Sequence, residues 1–174
     1  MALTPDIIEQ LARARADLRM GVPVVVTGDG AALVLAAETL TPQRLADVLA
    51  LGGTPVLAIT ARRAETLKAR PYDGDLARLT LPMDASLAWV QAIADPADDL
   101  RSPMKGPLIS ARDGDALAHR AALALCKSAR LLPAAVVLPL DDAGPFATQH
   151  ALTTLPLARL ADHIASASPL HPIV

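Results

Sequence analysis

A chain of 174 residues, just over half of them apolar and a fifth charged, has the composition of one globular domain with a large aliphatic core, and the expected organisation is a single domain over 1–174. A formal net charge of −2 and only three aromatic residues, Tyr72, Trp89 and Phe146, argue against a nucleic-acid footprint, an anionic-lipid surface or an aromatic platform for stacked bases. The single cysteine, Cys126, excludes an internal disulfide and a thiolate-rich zinc site, and the four histidines (His119, His150, His163, His171) form no HxxxH pair.

The N-terminal "TPDIIEQLARARADLRMG" predicts a helix. Thr4 is its expected N-cap with Pro5 at the first helical position, and Asp6 and Glu9 suit the positive end of the dipole. Ile7, Ile8, Leu11, Ala14 and Leu18 form its apolar stripe, and Gly21 ends it. The same stretch is broken by charges, so it does not read as a signal peptide. No apolar run approaches membrane-spanning length, and the expected location is the cytoplasm. "VPVVVTG" reads as a buried strand that returns through Gly28-Asp29-Gly30 into "LVLAAE" as a hairpin. "TPQRLADVLALG" predicts a helix capped by Thr41, with Pro42 at its start and Gly52 at its end. "TPVLAIT" follows as a strand and "ARRAETLKAR" as a basic helix.

Beyond Pro71, "ARLTLPM" predicts a strand and "DASLAWVQAIAD" an Asp-capped helix with Leu87, Val90 and Ile93 at helical spacing. "PADDLRSPMKGP" reads as an ordered loop and "LISA" as a short strand. "DGDALAHRAALALCKSARLL" predicts a helix capped by Asp113 or Asp115, "PAAVVLPL" a core strand, and "LPLARLADHIAS" a closing helix. Alternating strands and helices without an internal repeat imply an α/β fold on the α+β border: a layered domain with a mixed, twisted sheet flanked by helices.

Candidate sites are few. His119 and Cys126 stand seven residues apart, on one helix face but about two turns apart at ~1.5 Å per residue, too far for a direct hydrogen bond. Cys126 among leucines and alanines reads as a buried hydrophobe, and His119 in the first turns of its helix as a surface residue. The Gly28-Asp29-Gly30 stretch reads as a hairpin turn, since no helix N-terminus follows it to receive a phosphate. Asp95, Asp98 and Asp99 are either metal ligands or caps and Asx-turns. Arg101 and Lys105 are either a phosphate grip or solvated loop cations.

Taken together, "GVPVVVTGDG", "ALVLAAETLTPQRLADVLALGGTPVLAIT" and "HRAALALCKSARLLPAAVVLPLDDAG" resemble the layout of 3,4-dihydroxy-2-butanone 4-phosphate synthase from about Ile8 to Ile164. "LVLAAETLTP" and "ARLLPAAVV" are the most specific parts. The resemblance implies that family's fold, its homodimeric habit and its setting in riboflavin biosynthesis, where the enzyme acts on ribulose 5-phosphate with Mg²⁺. The chemistry does not carry over residue by residue. The family's acidic loop, DDExRExEGD, is reduced here to Gly28-Asp29-Gly30. Its GHTEA motif, counted back without a gap from "LLPAAVV", puts Ala118 at the histidine, His119 at the threonine and Arg120 at the glutamate. Its RPGHxFPLRA resembles "SPMKGPLISA" with the histidine lost, and its Gly-Arg-Gly is "LGGT". Rearranging a phosphosugar needs a divalent cation and placed acid and base groups, so these losses together imply abandoned catalysis.

"ADPADDLRSPMKGPL" and "RAALALCKSARLLPA" are also similar to the N-terminal region of a class of bacterial GTP cyclohydrolase II proteins. There a degenerate synthase-like domain precedes a zinc-dependent domain, whose three-cysteine site this chain lacks. The expected function is therefore a non-catalytic domain without cofactor, acting as scaffold, dimerisation or docking module for a GTP cyclohydrolase II partner. Two alternatives stand: a Mg²⁺-dependent synthase with a site rebuilt from Asp29, Asp98 or Asp99, and a module that binds a phosphate ligand through Asp29, Arg101, Lys105 and Arg120.

Overall fold

The computed structural model describes residues 2–103 and 105–166. His171 and the closing "SPLHPIV" lie outside the described residues. The first helix, α1 (Ile7–Arg19), is capped by Asp6 rather than Thr4. The backbone N–H of Glu9 donates to the Asp6 carboxylate and the N–H of Asp6 donates to the Glu9 carboxylate, both at 2.8 Å. This reciprocal box satisfies two helix-end donors. A Thr4 cap would put Ile7 at the reciprocating position, where no acceptor exists. Ile7, Leu11, Ala14 and Leu18 are buried as expected, but Ile8 is 66% exposed, because it lies about 100° around the helix from Ile7. Gly21 turns the chain at φ 76°, where a Cβ would lie 2.5 Å from the Thr39 carbonyl oxygen.

Strands β1 (Val24–Thr27) and β2 (Ala32–Ala36) form the expected hairpin, with Val24 opposite Val34 and Val26 opposite Ala32. Its turn holds Gly28 at φ 108° and Gly30 at φ 87°, conformations open to glycine at little cost. Next come α2 (Pro42–Ala50), capped by Thr41 as the sequence implies, β3 (Val56–Thr60), α3 (Ala61–Thr66) and β4 (Leu76–Thr80). Helix α3 is shorter than its basic stretch because Lys68 adopts φ 59°. Helix α4 (Leu87–Ala94) is capped by the Ser86 hydroxyl, which accepts from the Trp89 N–H, and not by Asp84. A single 3₁₀ turn, Pro96–Asp98, follows.

"LISA" does not form a strand of its own. Ser110 makes one bridge to Leu79, and the backbone on either side exchanges hydrogen bonds with β4. Helix α5 (Leu117–Ser128) starts later than expected. Asp115 still helps, accepting from the Leu117 N–H at 3.1 Å, whereas Asp113 is not a cap. After β5 (Ala134–Pro139) come two elements the sequence pattern does not announce, α6 (Ala143–His150) and β6 (Thr154–Pro156). Gly144-Pro145 in the first turn of α6 reads as a loop signal, although proline is tolerated there. Its stop, Ala151 at φ 53°, lacks the usual glycine. Leu155 and Pro156 therefore belong to a strand, and the closing helix is α7 (Leu157–Ser166).

The six strands form one mixed sheet in the order β4-β3-β5-β2-β1-β6, parallel only between β1 and β6. Helices α1, α5 and α7 cover one face, where Leu11, Leu18, Leu125 and Leu160 meet Val24, Val34 and Val137. Helices α2, α3, α4 and α6 cover the other, where Leu45, Val48, Val90 and Ile93 meet Val25, Leu35 and Leu57. The strands are thus buried on both sides, which is why they read as continuous apolar runs. Among the described residues no helix is long and apolar enough to cross a membrane.

The box at α1 gives a direct check. Asp6→Ala should cost about 1 kcal/mol, seen as a lower midpoint in chemical denaturation, while Thr4→Ala should leave the midpoint unchanged.

Candidate functional site

Two short loops of identical sequence, Asp73-Gly74-Asp75 and Asp113-Gly114-Asp115, come together around Arg78 on β4. Arg78 is only 4% exposed. Its Nε and Nη2 donate to the two Asp73 carboxylate oxygens at 2.8 and 3.1 Å, and its Nη1 donates to the Asp113 carbonyl at 2.8 Å. The guanidinium therefore joins the segment entering β4 to the segment entering α5. A buried cation is tolerable only with such complete pairing.

The start of α5 is held a second time. Arg120 Nε and Nη2 donate to the Asp75 carboxylate at 2.7 and 2.8 Å. The shared hydrogen bonds lower the Asp75 pKa and raise that of Arg120. Both side chains are about half exposed, 53% and 48%, so this pair adds little stability and mainly sets orientation.

Arg120 and Asp29 line one open cavity of about 690 Å³, bounded by the β1–β2 turn, α5 and α7. Its polar side chains are Thr27 and Asp29 from the end of β1 and the β1–β2 turn and Arg120 from the first turn of α5. The rest is aliphatic: Leu117, Ala121 and Ala124 from α5, and Pro156, Leu157, Ala158, Leu160, Ala161 and Ile164 from β6 and α7. The β1–β2 turn and the first turns of α5 are thus neighbours in space, although about 90 positions separate them in the chain.

His119 is not on the surface as its place in the helix implies. It is 7% exposed, on the same helix as the buried Ala118, Ala122 and Cys126. Its Nδ1 is buried without a hydrogen-bond partner among the described residues. Burial first, and then the nearby Arg78 charge, push its pKa down to about 4 against Asp73 and Asp115. Cys126 is fully buried, with Sγ 3.7 Å from the Ala134 carbonyl oxygen, and burial pushes its thiol up to about 12. A thiol held protonated in the core is no nucleophile.

Arg101 and Lys105 are not brought to this cavity. Arg101 is exposed on the loop after the 3₁₀ turn. Lys105 Nζ lies 2.9 Å from Asp99 Oδ1. Arg63 donates to both Asp99 oxygens at 2.6 and 2.8 Å and to the Ile93 carbonyl at 2.7 Å, which ties the loop to the end of α4. These two cations hold the Asp99 carboxyl well below the usual carboxylate range. Asp95 accepts from the Ala97 N–H, and the Asp98 carbonyl accepts from Arg101 and Ser102. The acidic stretch is therefore turn chemistry.

A divalent cation, which the synthase resemblance implies, does not fit the residues present. Asp29 is the one carboxylate lining the cavity, Asp75 is engaged by Arg120, and no group of three metal-ligating side chains gathers among the described residues. A smaller cleft of about 390 Å³ lies between α2 and α6, with Arg44, Asp47, Phe146 and His150 at its walls. The sequence pattern does not reveal it because α6 is not legible there. Asp73, Asp75 and Arg78 also escape a motif search, and the repeated Asp-Gly-Asp is the one signal that marks their loops.

A curated relative, the GTP cyclohydrolase-2 of Azospirillum brasilense, is 32% identical over 158 residues, covering 87% of this chain and 41% of that protein. The chain thus spans about two fifths of the length of the curated relative it matches. A 3,4-dihydroxy-2-butanone 4-phosphate synthase structure from Candida albicans matches with a TM-score of 0.66 at 19% identity, over 88% of this chain and 96% of that one. A structure of the same synthase in complex with two magnesium ions gives 0.64 at 16%, over 94% and 98%. A two-domain synthase from A. baumannii gives 0.66 at 17%, over 91% and 59%. No family model matches the chain. The chain has the 3,4-dihydroxy-2-butanone 4-phosphate synthase fold, and its sequence is related to that of a GTP cyclohydrolase-2.

The buried imidazole sets a pH dependence. His119 ordinarily titrates at 6.5 and in the folded chain at about 4, so between those values the unfolded chain binds the extra proton. Its contribution is fully present above pH 6.5 and is lost as pH falls toward 4, by about 3 kcal/mol. Urea unfolding of wild type and His119→Leu across pH 7 to 4 should show a shallower loss in the variant. Parallel profiles would contradict the assignment.

Proposed function

We propose that this chain is a non-catalytic domain on the synthase fold that serves the GTP cyclohydrolase II step of riboflavin biosynthesis as scaffold, dimerisation or docking module. It works in the cytoplasm as a homodimer and without a resident metal. One observation carries the reading. The two places where the synthase resemblance implies catalytic groups, the β1–β2 turn and the start of α5, converge on a single cavity. At that cavity the chain presents one carboxylate, one arginine already paired to Asp75, and aliphatic walls. The helix position that the resemblance gives to a histidine is Ala118, which is buried. The kinship with a GTP cyclohydrolase-2 supports the pathway setting.

A phosphate-binding reading has one point in its favour, that Asp29 and Arg120 line the same cavity. It loses Lys105 to Asp99 and leaves Arg101 on a separate loop.

Incubation with ribulose 5-phosphate and Mg²⁺ should give no product above the protein-free rate, and turnover at an enzyme-like rate would overturn the non-catalytic reading. Thermal unfolding with millimolar GTP or pentose phosphates should leave the midpoint unmoved. A rise that disappears in Arg120→Ala would instead establish the phosphate-binding module, because a ligand of the folded state raises its midpoint.

A further inference from the structure

We propose that Asp29-Gly30, at the tip of the β1–β2 turn, is a site of spontaneous covalent modification, where aspartate converts to isoaspartate through a cyclic imide. The reaction needs only water, and the fold selects this site from three of the same dipeptide sequence.

Asp-Gly occurs at 29–30, 73–74 and 113–114. Each offers a carboxyl group one residue before a glycine, whose amide nitrogen no Cβ shields. In the conversion that nitrogen gives up its proton and attacks the aspartate Cγ. The N–Cγ bond forms, the carboxyl oxygen leaves as water, and a five-membered imide results. Water then adds to one of the two imide carbonyls. Opening the new bond restores aspartate. Opening the old peptide bond routes the main chain through Cγ and leaves isoaspartate. The water lost is regained, so the composition of the chain is unchanged. Ring closure requires a free carboxyl group and a following peptide plane that can turn.

The Arg78 cluster denies these conditions to two of the sites. The Asp73 carboxylate is held by two Arg78 donors, and its side chain is 14% exposed. The Gly74 N–H donates to the Pro71 carbonyl at 3.0 Å, and the Asp73 carbonyl accepts from the Asp75 N–H at 3.1 Å. Asp113 is exposed, but its carbonyl, part of the peptide plane that must turn, accepts from the buried Arg78 Nη1 at 2.8 Å. Asp29 carries neither restraint. Asp29 and Gly30 are exposed and form the centre of a turn closed around them, where the Ala31 N–H donates to the Gly28 carbonyl at 3.1 Å. Among the described residues the Asp29 carboxylate, the Asp29 carbonyl and the Gly30 N–H have no hydrogen-bond partner. The product changes the cavity as well as the turn. Isoaspartate adds one carbon to the main chain between β1 and β2 and moves the free carboxylate onto Cα, and Asp29 is the one carboxylate lining that cavity.

The test is to age the folded protein at neutral pH and body temperature for several weeks, then map isoaspartate by peptide digestion and electron-transfer fragmentation. Isoaspartate should accumulate at Asp29 about tenfold faster than at Asp73 or Asp113, because a charge-assisted hydrogen bond that must first open is worth roughly that factor. In chain unfolded by urea the three rates should converge. Asp29→Glu, which can close only a larger and slower-forming ring, should abolish the product at this turn and leave the other two rates unchanged. Equal rates in the folded protein, or faster conversion at Asp73 or Asp113, overturn the proposal. So does the same ranking in urea, since the local sequence and not the fold would then select the site.

Discussion

The buried guanidinium of Arg78 is the constraint on which the site depends. It sits on an edge strand of the sheet, on the side covered by α5, and is almost wholly buried. Every donor it offers must therefore meet protein oxygen, and the two Asp-Gly-Asp loops supply those oxygens. That requirement fixes where β4 and α5 begin relative to each other. Arg120 can then reach Asp75, and His119 is pressed into the same cluster without a partner for Nδ1. A hydrophobic replacement for Arg78 would solve its own burial but leave Asp73 and the Asp113 carbonyl unanswered. The cluster stands or falls as a unit.

The chain shares the fold of the synthase structures, and where its hairpin turn meets α5 stand an aspartate, a paired arginine and a wall of alanines and leucines. Alanine and leucine side chains supply apolar area and no hydrogen-bonding groups. The neutral His119 and the protonated Cys126 belong to the interior for the same reason: each is placed where ionisation is penalised by burial.

Most of the sheet and its covering helices is legible in the sequence, because continuous apolar strands and capped amphipathic helices carry strong local signals. Thr41 with Pro42 and the apolar run at 134–138 are of this kind. The failures are equally local in cause. Thr4-Pro5 imitates a helix start, and only the reciprocity of Asp6 with Glu9 displaces it. Gly144-Pro145 imitates a loop at the head of α6. Strand β6 is three residues long and exists because β1 is available as a parallel neighbour, which no local pattern records. Of the candidate ligand residues, Asp29 and Arg120 share a cavity while Arg101 and Lys105 do not, since salt-bridge partners are chosen in three dimensions. The lowered pKa of His119 likewise depends, after burial, on Arg78, which lies 41 positions earlier in the chain.

The pairing of β1 with β6 has a consequence for how the chain is made. Val26 of β1 lies opposite Leu155, so the outer edge of an apolar strand finished early in synthesis waits for a partner translated some 130 residues later. Until then a row of unpaired backbone donors and acceptors on Val24–Thr27 is open to any neighbouring strand. A ribosome stalled before Leu155 would hold out a nascent hairpin with one adhesive edge, and the last strand of the sheet is also what closes that edge to other chains.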